Sequence, residues 1–186
     1  MGLKGWREPN WETWSRLRHH AVPVGIADWL CDRGSLTSRL KHASSGDFSV
    51  NVLRQGWARP LPSERRLLGM RRAGIAVVRE VELICHGVPW VFARTLIPVR
   101  SLSGPARRLT LLGDRPLGEV LFADPTMQRG VTEMARLLPG HQLFGSATQH
   151  LQNAEVVWGR RTLFHLAGKP LLVNELFLPD IPESRP

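Results

Sequence analysis

Apolar and polar positions alternate most regularly in the middle of the chain. Ile75 to Cys85 and Val88 to Pro98 are extended, apolar-rich runs parted only by His86-Gly87. Two residues that accept positive φ form the tight turn of a β-hairpin. Phe48 to Trp57 sets Phe48, Val50 and Val52 against Ser49, Asn51 and Gln55. That is the pattern of a half-buried strand, which Pro60 and Pro62 end. Arg161 to Leu166 and Leu171 to Leu178, joined through Ala167-Gly168-Lys169-Pro170, form a second hairpin. Helical spacing appears elsewhere. Ile26, Trp29 and Leu30 make one stripe, and a second helix starts at Ser35 as N-cap, with Leu36 and Leu40 on one side. Leu117 to Phe122 reads as a helical turn or two. A longer helix is predicted from about Thr126 to Leu138, with Asp124 as cap and Pro125 at its first position. Pro139 to Val157 carries no clear pattern.

Strands that follow one another through tight turns build an antiparallel sheet, so the expected class is α+β, a single domain with helices covering one face. The start of the chain, with Trp6, Trp11 and Trp14 among charges, reads as a loosely packed extension. The expected organisation is an extension over residues 1–23, a domain over 24–180 and a tail over 181–186.

If Cys85 pairs with Val88, an unbroken register puts Arg79 opposite Arg94. Alternation then sets Arg79 with Val81, Leu83 and Cys85, and Arg94 with Trp90, Phe92 and Leu96, on one apolar face, with Glu80 and Glu82 turned away. Facing like charges destabilise a sheet, and an apolar setting raises the cost. Either internal carboxylates answer these arginines or an anionic ligand does. Glu175 also lies among apolar strand neighbours. A carboxylate there either pairs with a cation, with Arg160 or Arg161 the nearest candidates, or is set up for general acid–base work.

Composition narrows the classes. At 186 residues one core suffices. The net charge of +9 raises the question of nucleic acid. However, the arginines are scattered as Arg65-Arg66, Arg71-Arg72, Arg107-Arg108 and Arg160-Arg161, with no recognition motif, so a solvated basic surface without nucleic acid is expected. Cys31 and Cys85 are too far apart for a zinc-type spacing, and two cysteines make no disulfide framework, which fits a reducing cytoplasm. No apolar run is long enough to span a bilayer. The first twenty residues lack a signal-peptide core. Trp6 stands where a Gly2 myristoylation signal needs Ser or Thr. A soluble protein without membrane insertion is expected.

Several ordered blocks resemble the chorismate pyruvate-lyase (chorismate lyase) family. They are Arg79-Glu80-Val81, Gly87-Val88-Pro89-Trp90, Ala93-Arg94-Thr95 with Pro98, and Ser101-Leu102-Ser103-Gly104-Pro105. Further along come Pro116-Leu117-Gly118 with Leu121-Phe122, then Trp158-Gly159-Arg160-Arg161, Gly168-Lys169-Pro170-Leu171-Leu172 and Glu175-Leu176-Phe177-Leu178-Pro179. The likeness runs from about Trp29 to Pro179. It implies an antiparallel sheet whose ligand lies beneath helical flaps, with no metal or organic cofactor, in a monomer that turns chorismate into 4-hydroxybenzoate and pyruvate for ubiquinone synthesis.

By the same resemblance Arg79 matches the arginine holding the ring carboxylate, and Glu175 the carboxylate beside the oxygen at the far end of the ring. Leu117 matches a ligand-contacting backbone position, Leu36 an apolar flap residue, and Arg94 a second arginine of the motif. On this reading Arg79 clamps the ring carboxylate, Arg94 helps hold the enolpyruvyl carboxylate, and Glu175 is the general acid or base at the breaking ether. The chain departs from the family pattern in a longer Leu137–Val157 segment, in its N-terminal extension, and in Ala93 where Gly is expected. The alternative is a non-catalytic domain of the same fold that senses an aromatic carboxylate, as in bacterial transcription regulators. The presence of Glu175 and the absence of an attached helix-turn-helix argue against it.

Overall fold

A computed structural model describes residues 7–18 and 22–183. Gly2, Trp6 and the last three residues therefore lie outside the described part. In chain order the elements are α1 (Trp14–Leu17), α2 (Val24–Cys31), α3 (Leu36–Ala43), β1 (Phe48–Ala58), α4 (Pro62–Leu67), β2 (Ala76–Cys85) and β3 (Val88–Pro98). After a 3₁₀ turn come α5 (Pro105–Arg108), α6 (Leu117–Ala123), β4 (Gln128–Leu137), α7 (Gln142–Ala147), β5 (Val157–Leu166) and β6 (Lys169–Phe177). The six strands form one antiparallel sheet in the order β1-β2-β3-β6-β5-β4. His86 and Gly87 take φ of 51° and 76°, and Ala167 and Gly168 take 48° and 75°, so both hairpins close on two-residue turns of left-handed backbone. Ser35 caps α3 through its hydroxyl, which accepts from the Ser38 N–H.

Helices cover both faces of the sheet, not one. On the first face α2 and α3 bring Trp29, Leu30, Leu36 and Leu40 onto Val81, Leu83, Val91 and Phe177. Beside them α5 and α6 bring Ala106 and Leu121 onto Ile97, Phe164 and Val173. On the second face α7 sets Leu143, Phe144 and Ala147 on Phe92, Ala135, Val157 and Leu176, and Leu68 after α4 meets Val78, Leu96 and Leu172. The unpatterned segment supplies α7, whose apolar face is too short to show a period. The N-terminal stretch is tied down, with Glu12 bridging Met134, Arg7 bridging His141, and Leu17 buried.

The helix expected over Thr126–Leu138 is strand β4. Met127, Val131, Met134 and Leu138 fall at helical spacing, yet Val131 and Leu138 are exposed, and the slip between Arg129 and Thr132 breaks the two-residue period that would have marked a strand. Asp124 caps no helix there; its carboxylate accepts from the Thr126 N–H and hydroxyl and turns the chain into the strand.

The pairing of Arg79 with Arg94 is also corrected. Cys85 does pair with Val88 and Ile84 with Pro89, but Leu83 pairs with Val91, so Trp90 is an extra residue in β3. Beyond this bulge every partner moves by one position. Arg79 stands opposite Thr95, and Arg94 opposite Glu80. The two guanidinium groups therefore leave on opposite faces. Arg94 joins a buried network in which its Nε and one terminal nitrogen donate to Glu64 at 2.9 and 3.1 Å, and its other terminal nitrogen donates to Glu80 at 2.5 Å. Glu64 also accepts from the Leu61 N–H at the head of α4 and from Asn174, while Glu80 accepts from Arg54.

Removing one member of a buried charged network leaves the others uncompensated, at about 3–5 kcal/mol. Arg94→Met is expected to lose stability of that order by urea denaturation. Burial opposes ionisation of Glu80, but the Arg54 and Arg94 guanidinium groups outweigh it and hold its carboxyl below the ordinary range. Its stabilising contribution is therefore full above a pH of about 4.3 and is lost as the pH falls through the lower folded value.

Candidate active site

On the first face the alternation of β2, β3 and β6 brings Arg79, Val81 and Leu83 beside Ala93 and Thr95, and those beside Val173 and Glu175. Together with Leu36, Thr37, Leu117, Gly118, Leu121, Phe122 and Phe164 they line a narrow cavity. The roof is the meeting of α3 and α6. Gly118 is required there, since a Cβ would lie 2.5 Å from the Thr37 hydroxyl oxygen, and Lys41 clips the two helices together by a 2.5 Å ion pair to Glu119.

Arg79 is 4% exposed, and no carboxylate reaches it among the described residues. One terminal nitrogen donates to the carbonyls of Gly113 and Arg115 at 2.8 and 3.3 Å, while Nε is buried without a partner. Burial alone pushes the guanidinium below its ordinary range. A buried donor left unmade is costly, so the floor of this cavity is built to receive an acceptor.

Glu175 sits diagonally across β3 from Arg79, two strands and two residues away, which separates their Cα atoms by about 12 Å. Arg160, paired with Glu175 in the ladder and 2% exposed, donates from Nε to Glu175 Oε2 at 2.5 Å. Its terminal nitrogen donates to the carbonyls of Trp29 and Asp32 at the end of α2. One cation therefore positions the carboxylate and anchors the helix that leads to the roof, while Oε1 of Glu175 carries no hydrogen bond among the described residues.

Leu36 and Leu117 line the cavity, but Arg94 does not, because the bulge has turned it to the other face. Arg129, just before the slip in β4, was hidden by the expected helix. Its guanidinium lies 5.5 Å from the Phe122 ring and 5.2 Å from the Phe164 ring, both walls of the cavity, and donates to the Gly34 carbonyl between α2 and α3. Burial first, and then repulsion from Arg160, lowers its affinity for its proton, with Glu175 and Asp32 acting in the opposite direction. The signal available in sequence was Gly130 followed by β-branched Val131-Thr132, a poor helix interior. Among the described residues no cluster of His, Cys, Asp and Glu is arranged to hold a metal ion.

The profile of the family described as chorismate lyase matches residues 8–184. This chain belongs to the chorismate lyase family. A protein of Methylococcus capsulatus named as a probable chorismate pyruvate-lyase is 46% identical over 162 residues, covering 86% of this chain and 99% of that one. A probable chorismate pyruvate-lyase of Aromatoleum aromaticum is 43% identical over 179 residues, covering 94% and 96%. The match from residue 8 onward takes in most of the stretch read as an extension.

Among solved structures the effector domain of PhnF from Mycobacterium smegmatis superposes with a TM-score of 0.57 at 16% identity, over 79% of this chain and 90% of that domain. A GntR-family regulator from Bacillus cereus gives 0.55 at 12% identity, over 75% of this chain and 97% of that one. These show the shared α+β fold.

Removing the Arg160 side chain takes the donors from the last carbonyls of α2. In Arg160→Met, amides of Val24–Ala43 are expected to exchange with deuterium at least about tenfold faster, an opening of roughly 1.4 kcal/mol. Unchanged protection would show that Arg160 does not hold α2.

Proposed function

We propose that chorismate binds beneath the α3–α6 roof with its ring carboxylate on Arg79 and its hydroxyl-bearing carbon at Glu175, and that it is cleaved there. The activity is that of a carbon–oxygen lyase, chorismate pyruvate-lyase. The bond between the ring carbon and the enolpyruvyl oxygen breaks, the neighbouring hydroxyl-bearing carbon loses a proton, and the enol gains one to become pyruvate. The ring is left aromatic as 4-hydroxybenzoate, the ubiquinone precursor. Atoms balance without water or an electron acceptor, so positioning, one proton transfer and exclusion of water suffice.

The observation that carries this reading is the unpartnered Nε of a buried arginine on the floor of a mainly apolar cavity. A carboxylate against that guanidinium replaces the missing acceptor and neutralises the charge. The departing proton and the hydroxyl share one carbon, so a carboxylate beside the hydroxyl is also beside the proton. With Oε2 held by Arg160, Glu175 presents Oε1 as the base.

Chorismate has a second carboxylate, on the enolpyruvyl group. Arg94 is committed to Glu64 and Glu80 on the other face, so that role is assigned to Arg129, whose guanidinium lies behind the cavity walls Phe122 and Phe164 and within electrostatic reach of Glu175. Leu36 and Leu117 close over the ring. No helix among the described residues is long and apolar enough to cross a membrane. Metabolism of a soluble dianion places the enzyme in the cytoplasm on this reading.

Purified protein mixed with chorismate in the presence of a chelator is expected to yield 4-hydroxybenzoate and pyruvate, followed by ultraviolet absorbance. Tight 4-hydroxybenzoate binding without turnover would favour the sensor-domain reading instead. The two arginines on the ligand are expected to separate in titrations. Arg79→Ala should weaken 4-hydroxybenzoate binding by roughly 2–5 kcal/mol. Arg129→Gln should spare it and lower kcat/KM for chorismate, since the product lacks the second carboxylate. Equal losses of product affinity would contradict this division. Glu175→Gln keeps the shape but removes the base, so kcat should fall about 10²–10⁴-fold with product binding retained; a rate near wild type would reduce Glu175 to an orienting residue.

A further inference from the structure

The end of the sheet where β1 finishes and β2 begins carries an exposed apolar cluster that the site does not use. Trp57, at 60% exposure, pairs with Val77 in the ladder, and Ile75, just ahead of β2, is itself exposed. Ile75 and Val99 line one groove with Met70, Gly74 and Pro98, and Val99 is half exposed. Leu111 is also exposed, and the carbonyl of its neighbour Thr110 accepts from Gln55, two residues before Trp57 on β1. Soluble surfaces seldom group a tryptophan and three large aliphatic residues in this way.

Arginine predominates around the cluster, with Asp114 just past Leu111 and Glu8, which accepts from Ser63, as the nearby carboxylates. The segments 56–78 and 95–112 hold Arg59, Arg65, Arg66, Arg71, Arg72, Arg100, Arg107 and Arg108, with Glu64 as their sole carboxylate. Glu64 is buried and bonded to Arg94, so it offers no counter-charge at the surface. Arg59, Arg66, Arg71 and Arg72 are exposed, and their side chains make no ion pair among the described residues. Arg100 spans the groove floor to the carbonyls of Leu68 and Gly69 at the end of α4, which fixes this corner as a formed surface.

We infer that this corner docks the protein reversibly on an anionic lipid surface. Trp57, Ile75, Val99 and Leu111 enter the boundary between headgroups and acyl chains, and the surrounding arginines meet the lipid phosphates. Nucleic acid would use the arginines but leaves the aliphatic residues unexplained. A second copy of the chain would bring like charge against like.

The test is co-sedimentation of the purified full chain with vesicles of phosphatidylglycerol and phosphatidylcholine, against vesicles of phosphatidylcholine alone. Binding to the anionic vesicles that weakens as salt rises, with a blue shift of tryptophan emission lost in Trp57→Phe, is the expected result. Trp57→Ser with Ile75→Ser, and separately Arg71→Glu with Arg72→Glu, should each lower vesicle affinity at least about tenfold while chorismate turnover stays at the wild-type rate. Several outcomes would overturn the inference. These are no anionic-vesicle binding at low salt, binding indifferent to both double variants, a duplex DNA that competes fully with the vesicles, or a dimer in solution that the Trp57→Ser, Ile75→Ser variant abolishes.

Discussion

A cation can be buried in this sheet only if something negative meets it, and the extra residue at Trp90 sorts the two hairpin arginines by how that demand is met. Without the bulge Arg79 and Arg94 would face each other. With it, Arg94 turns to the second face and finds Glu64 and Glu80, while Arg79 stays on the first face with no carboxylate. Trp90 is itself anchored, since its side chain is in the core and its carbonyl accepts from the Leu178 N–H. The site therefore follows from a one-residue shift in strand register, and its chemistry from the acceptor that the shift leaves missing.

The same economy governs the other end of the cavity. Arg160 meets Glu175 and the end of α2 with one guanidinium, so the orientation of the carboxylate and the placement of the roof share a single buried support. The charged groups of the site thus fall into two kinds. Arg79 has an unmade hydrogen bond, which the proposed function assigns to the substrate carboxylate. Glu175 has one oxygen bonded to Arg160 and one without a hydrogen bond among the described residues, as the proposed base on a rigid strand requires. Family membership and the curated relatives supply the reaction, and these residues supply a geometry that can carry it.

Much of this was legible in the sequence because strand alternation and turn chemistry are local. The hairpin at His86-Gly87, the Ser35 cap, the antiparallel sheet and the inward placement of Arg79 and Glu175 all follow from residues within a few positions of one another. What was hidden depends on two of the slips in the ladder. The bulge at Trp90 leaves no composition signal, since tryptophan is as much at home in a regular strand as in an irregular one. It reversed the face of Arg94. The slip between Arg129 and Thr132 broke the alternation of β4, and a helix expected in its place concealed Arg129. The helices on the second face, α4 and α7, are each only six residues long, too short for a period to emerge from sequence.

The claim on which the account turns is that Arg79 is an unpaired cation awaiting a carboxylate. A binding cycle with 4-hydroxybenzoate and its uncharged amide, 4-hydroxybenzamide, on the natural protein and on Arg79→Met, isolates that interaction by calorimetry. The account predicts that the natural protein prefers the carboxylate by more than about tenfold and that Arg79→Met abolishes the preference. A preference for the carboxylate that survives in Arg79→Met would place the anion elsewhere and contradict the account.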